Sequence, residues 1–347
     1  MTIDASNALR KTPKLVAATI LYGPGIDGWG FGSVCGFIYV PSSVSSVDAV
    51  SSSVSFKALI AFVVRYERVF LFNQDLFLMP DWEDLLKQAK EDVLLAVELW
   101  GHVLKETFGP RLKYAYAKGS ALKQWDSLVD YVPVLSDLDM HIMLTDSGDM
   151  FPSDALGFSS SINVARQFEE RFLKARPDHL HIPRAQIVHL NPTLDDPSFI
   201  LPLVSEVHVM VGSPVDGKLP SDDEIKALDL KELQECAIYL QDLPRQAVDR
   251  VGLDFWTMLR RINWRVSPSP IRLLTQIHSA PLEVWKWNRT RISQELKKNG
   301  YDSLVSSYRK YYETGWELFF SGFSDYGKLR EIVIHGYDVL HKCVTSI

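Results

Sequence analysis

Two acidic residues are spaced so that they could share a metal ion. Asp137 and Asp139 lie two positions apart in a segment, Asp137–Leu144, that is otherwise mostly apolar. Side chains at i and i+2 of a β-strand point from the same face, so both carboxylates can converge on one divalent cation or on two ions about 4 Å apart. Mg²⁺ prefers such oxygen ligands and completes its shell with substrate phosphates and water. The alternative is a pair of surface acids on an edge strand, but the cost of unpaired charge within an apolar strand favours a metal site.

A glycine–serine pair precedes the acidic pair along the chain. Gly119 and Ser120 end a short alternating segment, 113–118, that predicts a β-strand. Such a turn offers backbone N–H groups unobstructed by a Cβ atom and one hydroxyl, which is what a phosphate group needs. Gly-Ser is also a common turn former without any ligand, and the residues alone leave both interpretations open.

The surrounding periodicities predict the elements that position these residues. Asp81, as an N-cap before apolar residues at three- and four-residue steps, predicts a long amphipathic helix that ends near Gly109 and Pro110. Alternating or apolar segments predict strands at 113–118, 137–144, 185–190 and 204–211, with a helix at 165–175. Helical patterns then follow at 222–241, 253–264, 282–298, 302–319 and 326–342. The order predicts an α+β fold in which a half with a mixed sheet precedes an all-α helical bundle.

A strand, Gly119-Ser120, a loop and then Asp137-x-Asp139 on the next strand resemble the signature of the nucleotidyltransferase superfamily with the polymerase-β-like fold. The similarity is closest to the minimal and aminoglycoside-type nucleotidyltransferases, and it covers residues 79–215 well and the remainder in outline. The resemblance implies that Gly119 and Ser120 contact phosphates and that Asp137 and Asp139 bind Mg²⁺. It also implies attack by a small-molecule hydroxyl on the α-phosphate of a nucleoside triphosphate, most simply ATP, with release of pyrophosphate.

The family normally adds a third carboxylate on the following strand, and in this sequence that position is Gln186. An amide oxygen can bind a metal ion, but it carries no charge and cannot act as a base. Glu206, which the pattern places on the next strand, is the candidate catalytic replacement, with a solvated glutamate as the alternative. If neither serves, the chain is a nucleotide-binding or regulatory protein that catalyses poorly. The loop from Ser120 to Asp137 is longer than is usual for the family, which predicts a surface insertion.

A run of aromatic and basic residues in the helical half, 285–291, adds one more candidate. Its tryptophans could stack on a base while its cations hold phosphates, and Arg289 is the candidate nucleotide-binding residue. An amphipathic helix with its tryptophans turned inward is the competing interpretation. His141 shares the strand face of the acidic pair, where it could contact a phosphate or be a satisfied, partly buried histidine.

Three segments follow from these assignments. Residues 1–78 are poor in charge and rich in glycine and serine, and they predict an extension of uncertain structure, with short strands at 58–64 and 69–72. Whether the function needs this extension is left open. Its apolar stretch is interrupted by glycines, so it predicts neither a membrane span nor a signal peptide. Residues 79–215 are the predicted nucleotidyltransferase domain, and 216–347 are a helical domain on the substrate side.

Composition narrows the setting of this activity. The 347 residues are 46% hydrophobic and 23% charged, as in ordinary globular proteins, and carry a net charge of -6. That charge argues modestly against RNA as the acceptor without excluding it. Three cysteines in no close pair favour a reduced, cytoplasmic protein. The sequence therefore predicts a cytoplasmic transferase that acts on a small-molecule hydroxyl. The alternatives are a regulatory nucleotide-binding protein and a transferase that acts on RNA or protein. No membrane partner is predicted, and the oligomeric state is open.

Overall fold

The computed structural model describes residues 82–196 and 199–347, together with the backbone of two strands nearer the N-terminus. Those strands, β1 (Val16–Ile20) and β2 (Val34–Ile38), pair antiparallel. The chain divides into two compact units, Met1–Asn73 and Gln74–Ile347. The strands predicted at 58–64 and 69–72 lie outside the described residues. The N-terminal extension of residues 1–78 therefore stays a prediction.

Two long helices of the larger unit cover one face of its sheet. Helix α1 (Trp82–Phe108) has acidic residues in its first turn, which is the favourable end of the helix dipole, and buries an apolar stripe. Helix α2 (Ala155–Ala175) begins at an Asp154 cap whose carboxylate accepts a hydrogen bond from the backbone N–H of Gly157. It starts ten residues before the predicted helix. The sequence pattern misses these first turns because their apolar side chains are exposed, which hides the helical periodicity.

Four strands form the mixed sheet of this unit. They are β3 (Leu112–Lys118), β4 (Asp137–Leu144), β5 (Arg184–His189) and β6 (His208–Gly212), in the order β5-β4-β3-β6. Strand β3 is antiparallel to β4 and β6, whereas β4 and β5 are parallel. Leu138, Met140 and Ile142 of β4 are buried in the same apolar cluster as α1 and α2, and alternation turns the acidic pair to the opposite face. The mixed sheet and the mostly helical composition confirm the α+β class.

Helices make up most of the remaining chain. A short α3 (Leu190–Thr193) follows β5, and after β6 come α4 (Asp222–Val248), α5 (Phe255–Val266), α6 (Ser269–Ile277), α7 (Pro281–Lys286), α8 (Arg289–Lys298), α9 (Asp302–Phe320) and α10 (Tyr326–Val344). The predicted helix 282–298 is two helices, because Trp287 is extended and Asn288 caps α8. Helix α6, which begins beside Pro268 and Pro270, was not predicted. Within the described residues, no helix combines the length and apolar composition that crossing a membrane requires.

The connection between β3 and β4 is part of the core. Val129, Val132 and Leu135 are buried in the apolar cluster formed by the C-terminal helices. Asp130 is 1% exposed and accepts hydrogen bonds from the backbone N–H of Asp126, Ser127 and Thr290 and from the Thr290 hydroxyl. The prediction of a surface insertion is wrong, because the apolar residues of the loop find their partners in helices that follow more than a hundred residues later.

Candidate functional site

The predicted phosphate turn and the acidic pair are neighbours at one edge of the sheet. Strand β3 ends at Lys118, which is paired with Asp139, so Gly119 lies beside the start of β4. Gly119 has a φ of +94°, and a Cβ atom at this position would collide with the carboxylate of Asp139. Glycine satisfies both the left-handed backbone and the close approach. The structure thus brings Gly119, Ser120 and Asp139 together.

Asp139 is a partly buried carboxylate to which no described residue donates a hydrogen bond. Burial, followed by the negative charge of Asp137, raises the pKa of Asp139 to about 7. The positive charges of Lys118, Arg184 and Arg289 lower this pKa but do not offset the other two effects. An ionised carboxylate in such surroundings is destabilised, and a bound cation would remove that cost.

Asp137, in contrast, already has a cationic partner. Arg184 opens β5 opposite Asp137, and its Nη2 donates to Asp137 Oδ2 at 2.7 Å. Both side chains remain partly accessible, at 24% for Arg184 and 21% for Asp137. Asp137 Oδ1 has no hydrogen-bond donor in the described part of the chain. One oxygen of this carboxylate is therefore still open to a cation.

The third carboxylate position is occupied as the sequence indicates. Gln186 is the register partner of Asp139 on β5 and lines the same pocket as Asp137. Glu206 lies in a 3₁₀ turn, Val204–Glu206, before β6, so the strand predicted from residue 204 begins only at His208. Strand β6 is separated from β4 by β3, and the Glu206 carboxylate is 3.3 Å from Lys286 Nζ. The structure does not bring Glu206 to the acidic pair, because residues 204–206 form a turn instead of a strand and the following strand, β6, lies beyond β3.

Arg289 reaches the predicted phosphate turn, but it does so as a buried clamp. It is 6% exposed, and its Nη2 donates to Ser120 Oγ at 3.1 Å. The same guanidinium donates to the carbonyls of Val129 and Asp130 and to the hydroxyls of two further serines, Ser136 and Ser267. Arg289 thus holds the 119–136 loop in place and fixes the orientation of the Ser120 hydroxyl.

His141 packs within the sheet face next to the acidic pair. It is 4% exposed, its ring stacks on Tyr116, and its Nδ1 is 3.3 Å from the Tyr116 hydroxyl. Burial, with a smaller contribution from the charge of Lys118, lowers the pKa of His141 to about 3. A neutral, stacked imidazole supports the sheet and offers no positive charge to a phosphate.

Several charged residues near the acidic pair were not singled out from the sequence. Arg184 could have been found, because it lies two residues before Gln186 and therefore on the same strand face. Arg260 carries no such signal, since only the fold brings α5 to the start of β4. A pocket of about 400 Å³ is formed where these elements meet, and its lining includes Asp137, Arg184, Gln186, Arg260, Arg261, Asn263 and Trp264.

Few side chains at this site are available as ligands for a metal ion. In residues 82–196 and 199–347, no three side chains among His, Cys, Asp and Glu cluster closely enough to hold a metal ion. Asp139 and Asp137 Oδ1 remain as charged oxygen ligands, with the neutral amide of Gln186 beside them. Such a set suits Mg²⁺, which binds through one or two carboxylates and takes its other ligands from substrate phosphates and water.

Comparisons with known proteins give no independent assignment. No protein-family model matches the chain, and neither curated proteins nor solved structures show significant similarity to it. The residues and their geometry therefore carry the functional conclusion.

Proposed function

We propose that the chain is a cytoplasmic, Mg²⁺-dependent nucleotidyltransferase. It transfers a nucleoside monophosphate, with AMP from ATP as the first choice, to a hydroxyl of a small molecule. One observation carries this proposal: the Asp139 carboxylate is partly buried against Gly119, lies near a second carboxylate and has no hydrogen-bond donor among the described residues. The order of the strands and the acidic pair on β4 also support the proposal that residues 79–215 have a polymerase-β-like fold.

The residues at the edge of the sheet have separate tasks in this reaction. Asp139 and Asp137 Oδ1 would hold the metal ion, which neutralises charge on the triphosphate and lowers the pKa of the attacking hydroxyl when bound. The Ser120 hydroxyl accepts a hydrogen bond from Arg289, so its own hydrogen stays available for a phosphate oxygen. Lys118, paired with Asp139, adds positive charge at the same edge. These groups orient the triphosphate with its pyrophosphate at the Gly119-Ser120 turn.

The transfer step is a displacement at the α-phosphorus. The acceptor oxygen forms a bond to phosphorus, the bond to the bridging oxygen breaks, and pyrophosphate leaves with the electron pair. The hydroxyl proton passes to solvent, because the neutral amide of Gln186 cannot take it up. Catalysis of this kind depends mainly on positioning and on charge stabilisation, which the two aspartates and the turn would supply.

The test is pyrophosphate release from ATP and other nucleoside triphosphates with Mg²⁺, over an acceptor screen of aminoglycosides, other small alcohols, tRNA and protein. We expect Asp139→Asn to lower the rate by roughly 10³-fold, since a charge that acts in the transition state is removed. Asp149→Asn, an exposed acid beyond the end of β4, is the matched control and should keep full activity. Equal rates in Asp139→Asn and the wild type would refute the proposed site.

A second candidate function is nucleotide binding without transfer. It is favoured by one observation, the placement of Gln186 where a third carboxylate would stand beside Asp139. In the same assay this function gives a rise of the melting temperature with a nucleoside triphosphate and Mg²⁺, but no pyrophosphate with any acceptor. The two candidates therefore separate within one set of measurements.

A further inference from the structure

The pocket beside Asp137 is rich in positive charge. Three guanidinium groups, those of Arg184, Arg260 and Arg261, line it together with the single carboxylate of Asp137. Arg184 is engaged with that carboxylate at 2.7 Å, which leaves two arginines without an acidic partner in the lining. The local charge is thus opposite to the net charge of the chain, which is -6.

The arginines of α5 keep most of their hydrogen-bond donors free. Among described residues, the Arg260 side chain makes one long hydrogen bond, from Nη1 to the carbonyl of Val134 at 3.5 Å. Arg261 likewise makes one, from Nη1 to Gln246 Oε1 at 3.4 Å. Arg289, by comparison, donates to five protein acceptors. A guanidinium carries five N–H donors, so Arg260 and Arg261 retain the capacity to bind an anion.

Repulsion between like charges is built into this pocket. Burial, followed by the positive charge of Arg184, lowers the pKa of Arg260, while the charge of Asp137 acts in the opposite direction. Holding two guanidinium groups close together costs free energy unless an anion lies between them. The arrangement is therefore suited to a bound anion.

Val134 has a strained backbone conformation, and its carbonyl contacts two of these arginines. Val134 has a φ of 68°, which is a sterically costly conformation for a β-branched residue. Its carbonyl accepts from Arg184 Nε at 3.3 Å and from Arg260 Nη1 at 3.5 Å. Strained backbone of this kind concentrates at ligand sites, where the surrounding structure holds it. This observation is independent of the charges.

Trp264 supplies a flat apolar surface at the same pocket. It lines the pocket and is 69% exposed, which is unusual for the largest apolar side chain. An exposed aromatic face beside cations suits a ligand that has both a planar or ring-shaped part and an anionic group.

The pocket lies on the opposite side of the acidic pair from the Gly119-Ser120 turn. The turn follows β3, the acidic pair opens β4, and Arg184 opens β5, so the turn and the pocket are separated by two strand spacings, roughly 10 Å. In phosphoryl transfer the attacking and leaving oxygens are roughly in line across the phosphorus. A triphosphate with its pyrophosphate at the turn therefore has its attacking side toward the arginines.

We propose that this pocket binds the acceptor, and that the acceptor is an anionic small molecule with a phosphate or carboxylate close to the hydroxyl that is modified. This assignment rests on the proposed function, because it places the second substrate of that reaction. Arg260 and Arg261 bind the anionic group, and Trp264 contacts the body of the molecule. Polycationic acceptors of the aminoglycoside type are repelled from such a pocket.

The binding test uses phenyl phosphate as the probe, titrated calorimetrically into the full chain with EDTA and without nucleotide. We expect Arg260→Gln to raise the Kd at least about tenfold and Arg261→Gln to raise it less, because charge-assisted hydrogen bonds are lost. Arg261 is exposed, so its variant remains informative if Arg260→Gln does not fold. Arg265→Gln, on the same helix but stacked on Tyr239 outside the pocket, is the matched control and should not change the Kd. Unchanged binding in both pocket variants, or equal binding of the neutral benzyl alcohol, would overturn the proposal.

A second measurement separates this inference from the proposed function. Pyrophosphate release is compared with glycerol and glycerol 3-phosphate as acceptors, and phenyl phosphate is added as a competitor. Higher activity with glycerol 3-phosphate and inhibition by phenyl phosphate are expected. Transfer to neutral acceptors only, without inhibition, overturns the anionic acceptor and leaves the transferase standing. Phenyl phosphate binding without transfer to any acceptor overturns the transferase and the acceptor role together, whereas an RNA 3′ end that is used far better than either glycerol compound overturns the small-molecule class.

Discussion

Asp92 and Asp139 are two shielded carboxylates in the same unit, and the chain treats them differently. Asp92, on α1, is 0% exposed, and its Oδ2 accepts from the backbone N–H of Leu180 and from the N–H and Nδ1 of His181. Burial raises its pKa, but these hydrogen bonds and the charges of His181 and Arg176 lower it further, so the net shift is downward. The pKa of Asp139 is raised to about 7. A structural carboxylate is given donors by its own chain, whereas one left without them is suited to a ligand.

The largest expected effect is on stability at Asp92. Asp92→Asn removes a charge that His181 and Arg176 surround, and breaking such a buried pair costs about 3–5 kcal/mol of unfolding free energy. Glu91→Gln is the matched control, because Glu91 binds the same Arg176 from a position that is 45% exposed. It should change stability by less than about 1 kcal/mol. Urea denaturation of the two variants measures this difference, and equal values would remove the contrast between the two carboxylates.

An intermediate effect is expected from Mg²⁺. A cation that binds only the folded protein stabilises it by about 2.7 kcal/mol when the free cation concentration is about 100 times the Kd. We expect thermal unfolding of the wild type and of Asp149→Asn to shift upward with Mg²⁺, and that of Asp139→Asn to stay where it is. A shift of equal size in Asp139→Asn would place the cation elsewhere.

The two regions also respond to pH with opposite sign. Burial lowers the pKa of His181 although Asp92 opposes this effect, so acidification below the unfolded value of about 6.5 destabilises the fold at His181. Asp92, with its lowered pKa, loses its contribution at still lower pH, below its unfolded value of about 3.9. Asp139 has a raised pKa, so between about pH 4 and 7 the folded state takes up a proton at this residue and is stabilised as the pH falls.

The smallest predicted effect, counted per pH unit, follows from that sign. In EDTA, the gain in unfolding free energy of Asp139→Asn over the wild type should grow as the pH rises from 5 to 7, by at most about 1.4 kcal/mol per pH unit. The reason is that the wild type increasingly carries a destabilised charge, whereas the amide does not ionise. Urea denaturation at several pH values gives this difference. A gain that is independent of pH would contradict the raised pKa.

Local signals predicted the central part of this unit well. Strand β4 was predicted with its observed bounds, because alternation of apolar and polar residues between Asp137 and Leu144 is a direct record of its two faces. The closeness of Gly119 to Asp139 followed from the order of the two strands. The placement of Glu206 failed, since nothing local distinguishes a strand start from a 3₁₀ turn at residues 204–206. The approach of Arg260 to Asp137 has no local signal at all, because it depends on how α5 packs.

The loop of residues 119–136 determines how far the molecule can be taken apart. Its carbonyls, its apolar side chains and Asp130 are bound by Arg289, Thr290 and the buried faces of the C-terminal helices. A sheet separated from those helices would leave Asp130 without Thr290 and would expose Val132 and Leu135 to water. The two halves of this unit therefore share one core, and a genetic exchange that joined either half to foreign sequence between residues 215 and 216 would leave it without part of that core.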